Sequence, residues 1–372
     1  MRGLKAAGAR GRFAIVGTRG IPANYGGFET FAEELSTRLV RRGYEVTVYC
    51  REREPGAVYR GVRRCYIPAL RHKYFETLGH TFLSTIHLLF HRVDAALYCN
   101  AANAVFTLWP RMTGIPVALN VDGLERKRKK WNALAKVWYI LSERMATWFP
   151  AAVVSDARHI QNYYRERYGK QSKFIAYGAE TGKLETAAAL QALGLERGAY
   201  FLYVSRMEPE NNALLVRECF ERIGTDVKLA LIGDAPYARE YIARVRDTTD
   251  RRIVAPGAIY GVGYGELQSH CFAYIHSTEV GGTHPALIEA MGRGAVTLYL
   301  NTPENAEVVG DAGIAFEPET LEEAMRGVLA MSTEEREALG TRAARRVAER
   351  YSWDAVTDQY EALLMRLSRR LG

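Results

Sequence analysis

The chain has little of what would hold together a small secreted scaffold or a structural metal module. It carries five cysteines in 372 residues, Cys50, Cys65, Cys99, Cys219 and Cys271. None falls in a CxxC pair, and no Cys/His group has zinc-ligand spacing, which excludes both classes. Reduced thiols of this kind fit a cytoplasmic protein. Long apolar runs are also missing. The longest, near residues 82–90, is interrupted by Ser84 and His87 and is too short to span a bilayer. After the basic stretch 1–12, only residues 13–16 are apolar before Gly17, which is too short for the core of a secretory signal. No short-period repeat or low-complexity tract occurs, so solenoid and disordered architectures are set aside.

What remains is an ordinary globular composition, 48% hydrophobic and 25% charged, with length for about two domains of roughly 150 residues each. The charge is uneven. Residues 1–150 hold 24 Lys and Arg against 11 Asp and Glu, whereas the rest holds 26 against 31. A basic first half points to an anionic partner: a phosphate compound, a membrane surface or a nucleic acid.

Strand-like and helix-like runs alternate along the whole chain. Residues 13–17 read as a buried strand. Residues 28–42 read as a helix with Phe28, Phe31, Ala32, Leu35 and Leu39 on one face. Gly43 ends it. Strands are expected again at 45–50, 62–68, 95–99, 117–121, 153–155 and 174–177, and helices at 76–92, 130–148 and 157–168. The second half repeats the style, with strands at 200–205, 228–233, 252–255, 272–276, 296–300 and 314–316. Helices fit at 213–223, 238–247, 285–291, 321–331 and 334–351, while Gly261-Val262-Gly263-Tyr264-Gly265 reads as a turn. Strands alternating with helices predict parallel sheets in an α/β layout. The expected division is residues 1–185, residues 186–350 and an amphipathic C-terminal helix within 351–372 that crosses back to the first domain.

Ligands of open α/β sheets sit beyond the carboxyl ends of the strands, and the glycine loops of this chain fall there. The most informative is Thr278-Glu279-Val280-Gly281-Gly282-Thr283-His284-Pro285, which leads into a helix carrying Glu289. Proline suits a first helical turn, and a helix N-terminus suits phosphate. The first loop is Gly17-Thr18-Arg19-Gly20-Ile21-Pro22, followed by Tyr25-Gly26-Gly27. It is not GxGxxG, and the second strand ends in Cys50-Arg51 rather than in the acid that would hold an NAD ribose, which argues against a dinucleotide oxidoreductase. Arg206 closes the first strand of the second half, placed to hold a diphosphate. An ion pair with Glu208 or Glu210 is the structural alternative. No DxD pair stands at a strand end where magnesium would be expected.

Four motifs in order, Gly17-Thr18-Arg19-Gly20-Ile21-Pro22 with Tyr25-Gly26-Gly27-Phe28-Glu29-Thr30, Asn120-Val121-Asp122-Gly123-Leu124-Glu125, Arg206-Met207-Glu208-Pro209-Glu210-Asn211-Asn212 and Glu279-Val280-Gly281-Gly282-Thr283, resemble the bacterial rhamnosyltransferase-type branch of glycosyltransferase family 4. The resemblance implies the GT-B fold: two Rossmann-like parallel-sheet domains facing across a cleft, the acceptor domain first and the nucleotide-sugar domain second. It implies retaining transfer of a hexose, rhamnose from dTDP-rhamnose, to a lipid-diphosphate-linked saccharide at the inner membrane surface. No metal or other cofactor is implied. Asp122 and Glu279 would be catalytic. Gly17, Thr18, Arg19, Gly20, Arg206, Asn211, Gly281, Gly282, Thr283 and Glu289 would bind the donor, Glu289 through its ribose. Nine residues separate Glu279 from Glu289 where the wider family has seven, and Asn211 stands where a lysine is common. The rhamnosyltransferase-type branch shares both departures.

Tyr25, Gly26, Gly27, Arg126, Lys127, Lys129, Lys130 and Trp131 are assigned to the acceptor or membrane side. The run Arg126-Lys127-Arg128-Lys129-Lys130 precedes a helix with Leu134, Trp138, Leu141, Met145 and Trp148, and basic heads beside apolar rings suit an anionic membrane. The rival readings are a nonhydrolysing sugar-nucleotide epimerase and a basic nucleic-acid-binding protein. The second lacks an aromatic-basic recognition motif, so no nucleic-acid partner is expected.

Overall fold

The structure is a computed structural model that describes residues 9–24, 26–53, 55–69, 75–128, 132–235 and 237–369, with Lys127 described by its backbone alone. It divides into two compact units. The first contains residues 9–126, 132–177 and 353–369, and the second contains Gly178–Ser352 together with Arg128.

The first unit is built on eight strands: β1 (Arg12–Val16), β2 (Glu45–Cys50), β3 (Val58–Tyr59), β4 (Val62–Tyr66), β5 (Ala95–Cys99), β6 (Val117–Asn120), β7 (Ala152–Ser155) and β8 (Lys173–Phe174). Their order is β3-β4-β2-β1-β5-β6-β7-β8. All neighbours are parallel except the short edge pair β3–β4. The central strands are apolar on both faces because helices cover both; every residue of β5 is buried. The covering helices are α1 (Gly27–Arg41), α2 (Glu76–Leu89), α3 (Leu108–Met112), α4 (Ala133–Trp148) and α5 (Arg158–Tyr168). Phe31, Ala32, Leu35 and Leu39 give α1 its buried stripe.

The second unit has β9 (Tyr200–Val204), β10 (Lys228–Ile232), β11 (Ile253–Gly257), β12 (Ala273–His276), β13 (Thr297–Leu300) and β14 (Ile314–Phe316), in the order β11-β10-β9-β12-β13-β14 and parallel throughout. Its helices are α6 (Ala188–Ala192), α7 (Ala213–Glu221), α8 (Arg239–Arg246), α9 (Gly261–His270), α10 (Pro285–Gly292), α11 (Pro303–Val309), α12 (Leu321–Ala330) and α13 (Thr333–Arg350); α14 (Trp353–Arg369) returns to the first unit. Phe201, Leu231, Ile275, Leu298 and Phe316 of the strands meet Val216, Phe220, Met325 and Val328 of the helices in one core.

Two expectations shift. The units divide after Tyr177 rather than near residue 185, since the segment that follows is bound to the second unit. Gly182 donates its N–H to the Gly292 carbonyl and Leu184 donates its own to Ser269 Oγ. The run from Gly261 to Gly265, expected as a turn, opens helix α9. A Cβ at Gly263 would stand 3.2 Å from Ala189 Cβ, and one at Gly265 would stand 2.9 Å from Leu184 Cδ1. The glycines serve close packing of α9 on residues 184–189.

Candidate functional site

Each sheet has one point where the strand order turns back, and open α/β folds bind ligands there. In the second unit it lies between β9 and β12. The β9 loop runs through Arg206 to Asn212, and the β12 loop runs through Ser277 to Thr283. Side chains of the first loop stitch the two together. Asn212, at φ 60°, donates from Nδ2 to the Ser277 carbonyl at 2.9 Å and to Glu279 Oε1 at 3.1 Å. The Glu279 N–H donates to the Glu210 carbonyl at 2.9 Å. Asn305 holds the next carbonyl, that of Thr278, at 3.1 Å. Glu279 is thereby fixed in backbone and side chain, half-buried, just ahead of the buried Gly281, Gly282 and Thr283.

Asn211 sits in this loop, but its amide is engaged internally. Its Nδ2 donates to the Arg206 carbonyl at 2.7 Å, and its carbonyl accepts from Tyr203 and Ser277 hydroxyls, each at 2.8 Å. It shapes the turn that presents Arg206. The Arg206 guanidinium has no hydrogen bond or ion pair among the described residues, so the alternative of a pair with Glu208 or Glu210 is not realised. Those two acids face Arg128 instead, each at 3.9 Å from Nη1, and Glu210 is fully buried.

Arg206 lies close enough to His284 for its charge to depress that imidazole, after burial and the neighbouring His276 and Arg128 have done so. His284 is the N-cap residue of α10, and its ring sits 4.7 Å from that of His276. Burial takes His276 from the ordinary 6.5 down to about 3. Both rings are therefore neutral in the fold. An unfolded histidine takes up a proton below about pH 6.5, whereas the folded one does not, so stability is lost as the pH falls from there toward about 3. His276 contributes a slope of about 1.4 kcal/mol per pH unit in that window, and His284 acts in the same direction. Denaturant titrations between pH 7 and pH 5 are expected to show the loss, and His276→Asn to show a shallower one. Parallel curves for the two proteins would contradict the assignment.

Glu289 lies on α10. Its Oε2 accepts a hydrogen bond from the Tyr264 hydroxyl at 2.6 Å, and that hydroxyl accepts from Gln268 Nε2 at 2.8 Å. Both partners are on α9, the helix hidden behind the glycine run. Burial raises the Tyr264 phenol far above its usual range, and the neighbouring Glu289 charge adds to this; Tyr264 is a fixed donor to the carboxylate.

In the first unit the turning point lies between β1 and β5. Gly17, at φ 96°, passes so close to β5 that a Cβ would stand 2.5 Å from the Cys99 carbonyl oxygen; at Gly20, φ 117°, it would stand 2.6 Å from Cys50 Sγ. Only glycine takes this path. Thr18 is buried. Arg19 donates its N–H to Glu29 Oε1 at 2.9 Å, while its guanidinium pairs with Glu76 at 3.2 Å, an acid that Arg51 also meets at 3.4 Å. Arg19's charge is thus matched by Glu76 at the start of α2. Gly26 caps α1 and Gly27 begins it. Asp122 follows β6 in the left-handed region at φ 53°. Its N–H donates to Asn120 Oδ1 at 3.0 Å, and Asn120 Nδ2 donates to the Tyr360 hydroxyl of α14 at 2.9 Å. A non-glycine residue held at positive φ and braced by a helix marks a site worth testing.

Tyr25, Lys129, Lys130, Trp131 and the Lys127 side chain lie outside the described residues. Arg126 is committed internally, to Glu143 at 3.0 Å and the Tyr163 hydroxyl at 2.9 Å. Sequence reading missed Asn212, Tyr264, Asn305 and Arg128. The Asn211-Asn212 pair after a strand was the one visible signal, and the second asparagine is the one that reaches Glu279.

Comparison with known proteins follows the two units. Residues 25–181 match the family model described as Glycosyltransferase Family 4, and residues 198–333 match that described as Glycosyl transferases group 1. A lipopolysaccharide 1,2-N-acetylglucosaminetransferase of Salmonella typhimurium is 25% identical over 235 residues, which cover 57% of this chain and 61% of that protein. The match thus spans under two thirds of the relative. Among solved structures, sucrose-phosphate synthase from Thermosynechococcus elongatus superposes with TM-score 0.76 at 18% identity, over 96% of this chain and 99% of its own. Anabaena HepE in complex with UDP-glucose does so with TM-score 0.77 at 15% identity, over 96% and 100%. The chain therefore has the GT-B fold, and each of its two parallel-sheet units carries a match to a glycosyltransferase family model.

Proposed function

We propose that the protein transfers a hexose, with retention at the anomeric carbon, from a nucleoside-diphosphate sugar to a lipid-diphosphate-linked saccharide in surface-polysaccharide synthesis. Rhamnose from dTDP-rhamnose is the donor we favour, on the motifs quoted above. The observation that carries the reading is Arg206. It is a cation without a hydrogen bond or ion pair among the described residues, presented at the strand-order switch beside the N-terminus of α10. The leaving nucleoside diphosphate gains negative charge as its bond to the sugar breaks. Arg206 and the α10 N-terminus answer that charge, so the reading needs no metal. Glu289 takes the ribose. Glu279, fixed by Asn212, and Asp122 address the sugar and the acceptor hydroxyl. Support comes from the glycosyltransferase matches and from the named activity of the Salmonella relative. The lipid-linked acceptor puts the protein at the inner face of the cell membrane during transfer.

Thermal-shift measurements with dTDP-, UDP- and GDP-sugars test it. A donor at a hundred times its Kd adds roughly 2.7 kcal/mol, which raises the Tm by several degrees. We expect this with the dTDP sugar and little with GDP. No stabilisation by any nucleotide sugar, or conversion of the donor to its epimer without an acceptor, would overturn the proposal.

A further inference from the structure

Two helices of the first unit are inside out. A surface helix normally buries its apolar stripe and exposes its polar face. In α2 the buried side chains are His80, Thr81, Ser84, Thr85 and, at its end, Leu88, so four of the five are polar, while Phe82, Leu83 and Ile86 are exposed, and Phe90 just beyond is 82% exposed. In α4 the buried residues are Tyr139, Ser142, Glu143 and Ala146, whereas Val137, Ile140 and Leu141 are exposed, and Leu134 is 78% exposed. The short helix α3 joins them. Phe82 of α2 lies 5.7 Å from Trp109 of α3, and Arg111 of α3 donates to the Trp148 carbonyl at the end of α4 at 2.8 Å. Met112 of α3 is 75% exposed. Scattered apolar side chains on a surface mean nothing, but a joined apolar face over three helices marks an interaction surface.

The charges on this face choose the partner. Arg92, Arg111, Lys136 and Arg144 are exposed on or beside the three helices. The only acids within α2, α3 and α4 are Glu76 and Glu143, and both are bound to arginines of the protein. A second copy of the chain docked on the face would set cations against cations. An anionic bilayer offers apolar depth for the side chains and phosphates for the arginines and lysine. Among the described residues no helix is long and apolar enough to cross a membrane, so the contact lies on the surface. We infer that the face formed by α2, α3 and α4 docks the protein on an anionic lipid bilayer. This deepens the membrane-side reading above and extends it from the basic run at 126–130 and the helix α4 to a face shared with α2 and α3. It rests on that reading only for its setting, because its test needs neither donor nor acceptor.

The test is co-sedimentation with vesicles of phosphatidylglycerol and phosphatidylcholine, against phosphatidylcholine alone, at low and high salt. The protein is expected to sediment with the anionic vesicles and to be released by salt. The double variant Phe90→Asp/Leu134→Asp alters only exposed side chains, and we expect it to lower partitioning about a hundredfold. Lys136→Glu is expected to lower it about fivefold or more. Thermal shift by the nucleotide sugar, measured on the same variants without vesicles, should be unchanged, so failure here is distinct from failure of the donor site. Absence of vesicle binding, binding indifferent to these variants, or a lipid-free dimer that the double variant dissolves would each overturn the inference.

Discussion

Arg206→Ala is expected to lower kcat/KM for the nucleotide-sugar donor by about 10²–10³ while the Tm stays within a degree or two of the parent. The small stability effect follows from the absence of any bond to the guanidinium among the described residues. The turn that presents it is held by other groups, namely the Asn211 amide on the Arg206 carbonyl and the Tyr203 and Ser277 hydroxyls on the Asn211 carbonyl. Removing the side chain leaves no buried group unsatisfied. The large kinetic effect follows from timing. Charge on the leaving phosphate oxygens is greatest as the glycosidic bond breaks, so a preorganised cation stabilises that state more than the bound donor. Arg206→Lys keeps the charge and loses the two-pronged geometry, and is expected to recover only part of the rate. Steady-state kinetics with a saturating acceptor checks this. A variant with parental kcat/KM removes Arg206 from the site.

The alternation of buried strands and amphipathic helices was readable because parallel sheets covered on both faces leave apolar runs such as those at 13–16 and 95–99. The loop between β12 and α10 was readable for a related reason. Glycines and a proline at fixed positions between a strand and a helix leave few backbone paths. What escaped were features whose meaning lies in packing. The glycines at 261, 263 and 265 signal a turn when read locally. They are helical here because residues 184–189 lie against them, and with that helix went Tyr264 and Gln268, the groups that hold Glu289. Asn212 looked like the lesser of two asparagines, since sequence spacing cannot say which one reaches across a switch point to Glu279. The apolar residues of α4 were legible as an amphipathic stripe. Sequence periodicity does not say which side of the stripe is covered, and the covered side proves to be the polar one.

Glu289→Ala should weaken nucleotide binding itself, and by an amount that depends on the base. A carboxylate that accepts from a ribose hydroxyl makes a hydrogen bond to a charged group, worth about 1.5–3 kcal/mol, or roughly 10- to 100-fold in Kd. A ribonucleotide such as UDP offers two vicinal hydroxyls and a deoxyribonucleotide such as dTDP only one. The loss on Glu289→Ala is therefore expected to be larger for UDP than for dTDP. Because the contact exists before and during bond breaking, it should appear in Kd and KM more than in kcat, the reverse of Arg206. Tyr264→Phe tests the support. It removes the 2.6 Å bond to Oε2, with an expected loss of about tenfold in nucleotide affinity, and none when Glu289 is already alanine. Calorimetric titration of the two single variants and the double variant with UDP and dTDP decides the matter. Additive losses would separate Tyr264 from the carboxylate, and unchanged affinity in Glu289→Ala would take the ribose away from α10.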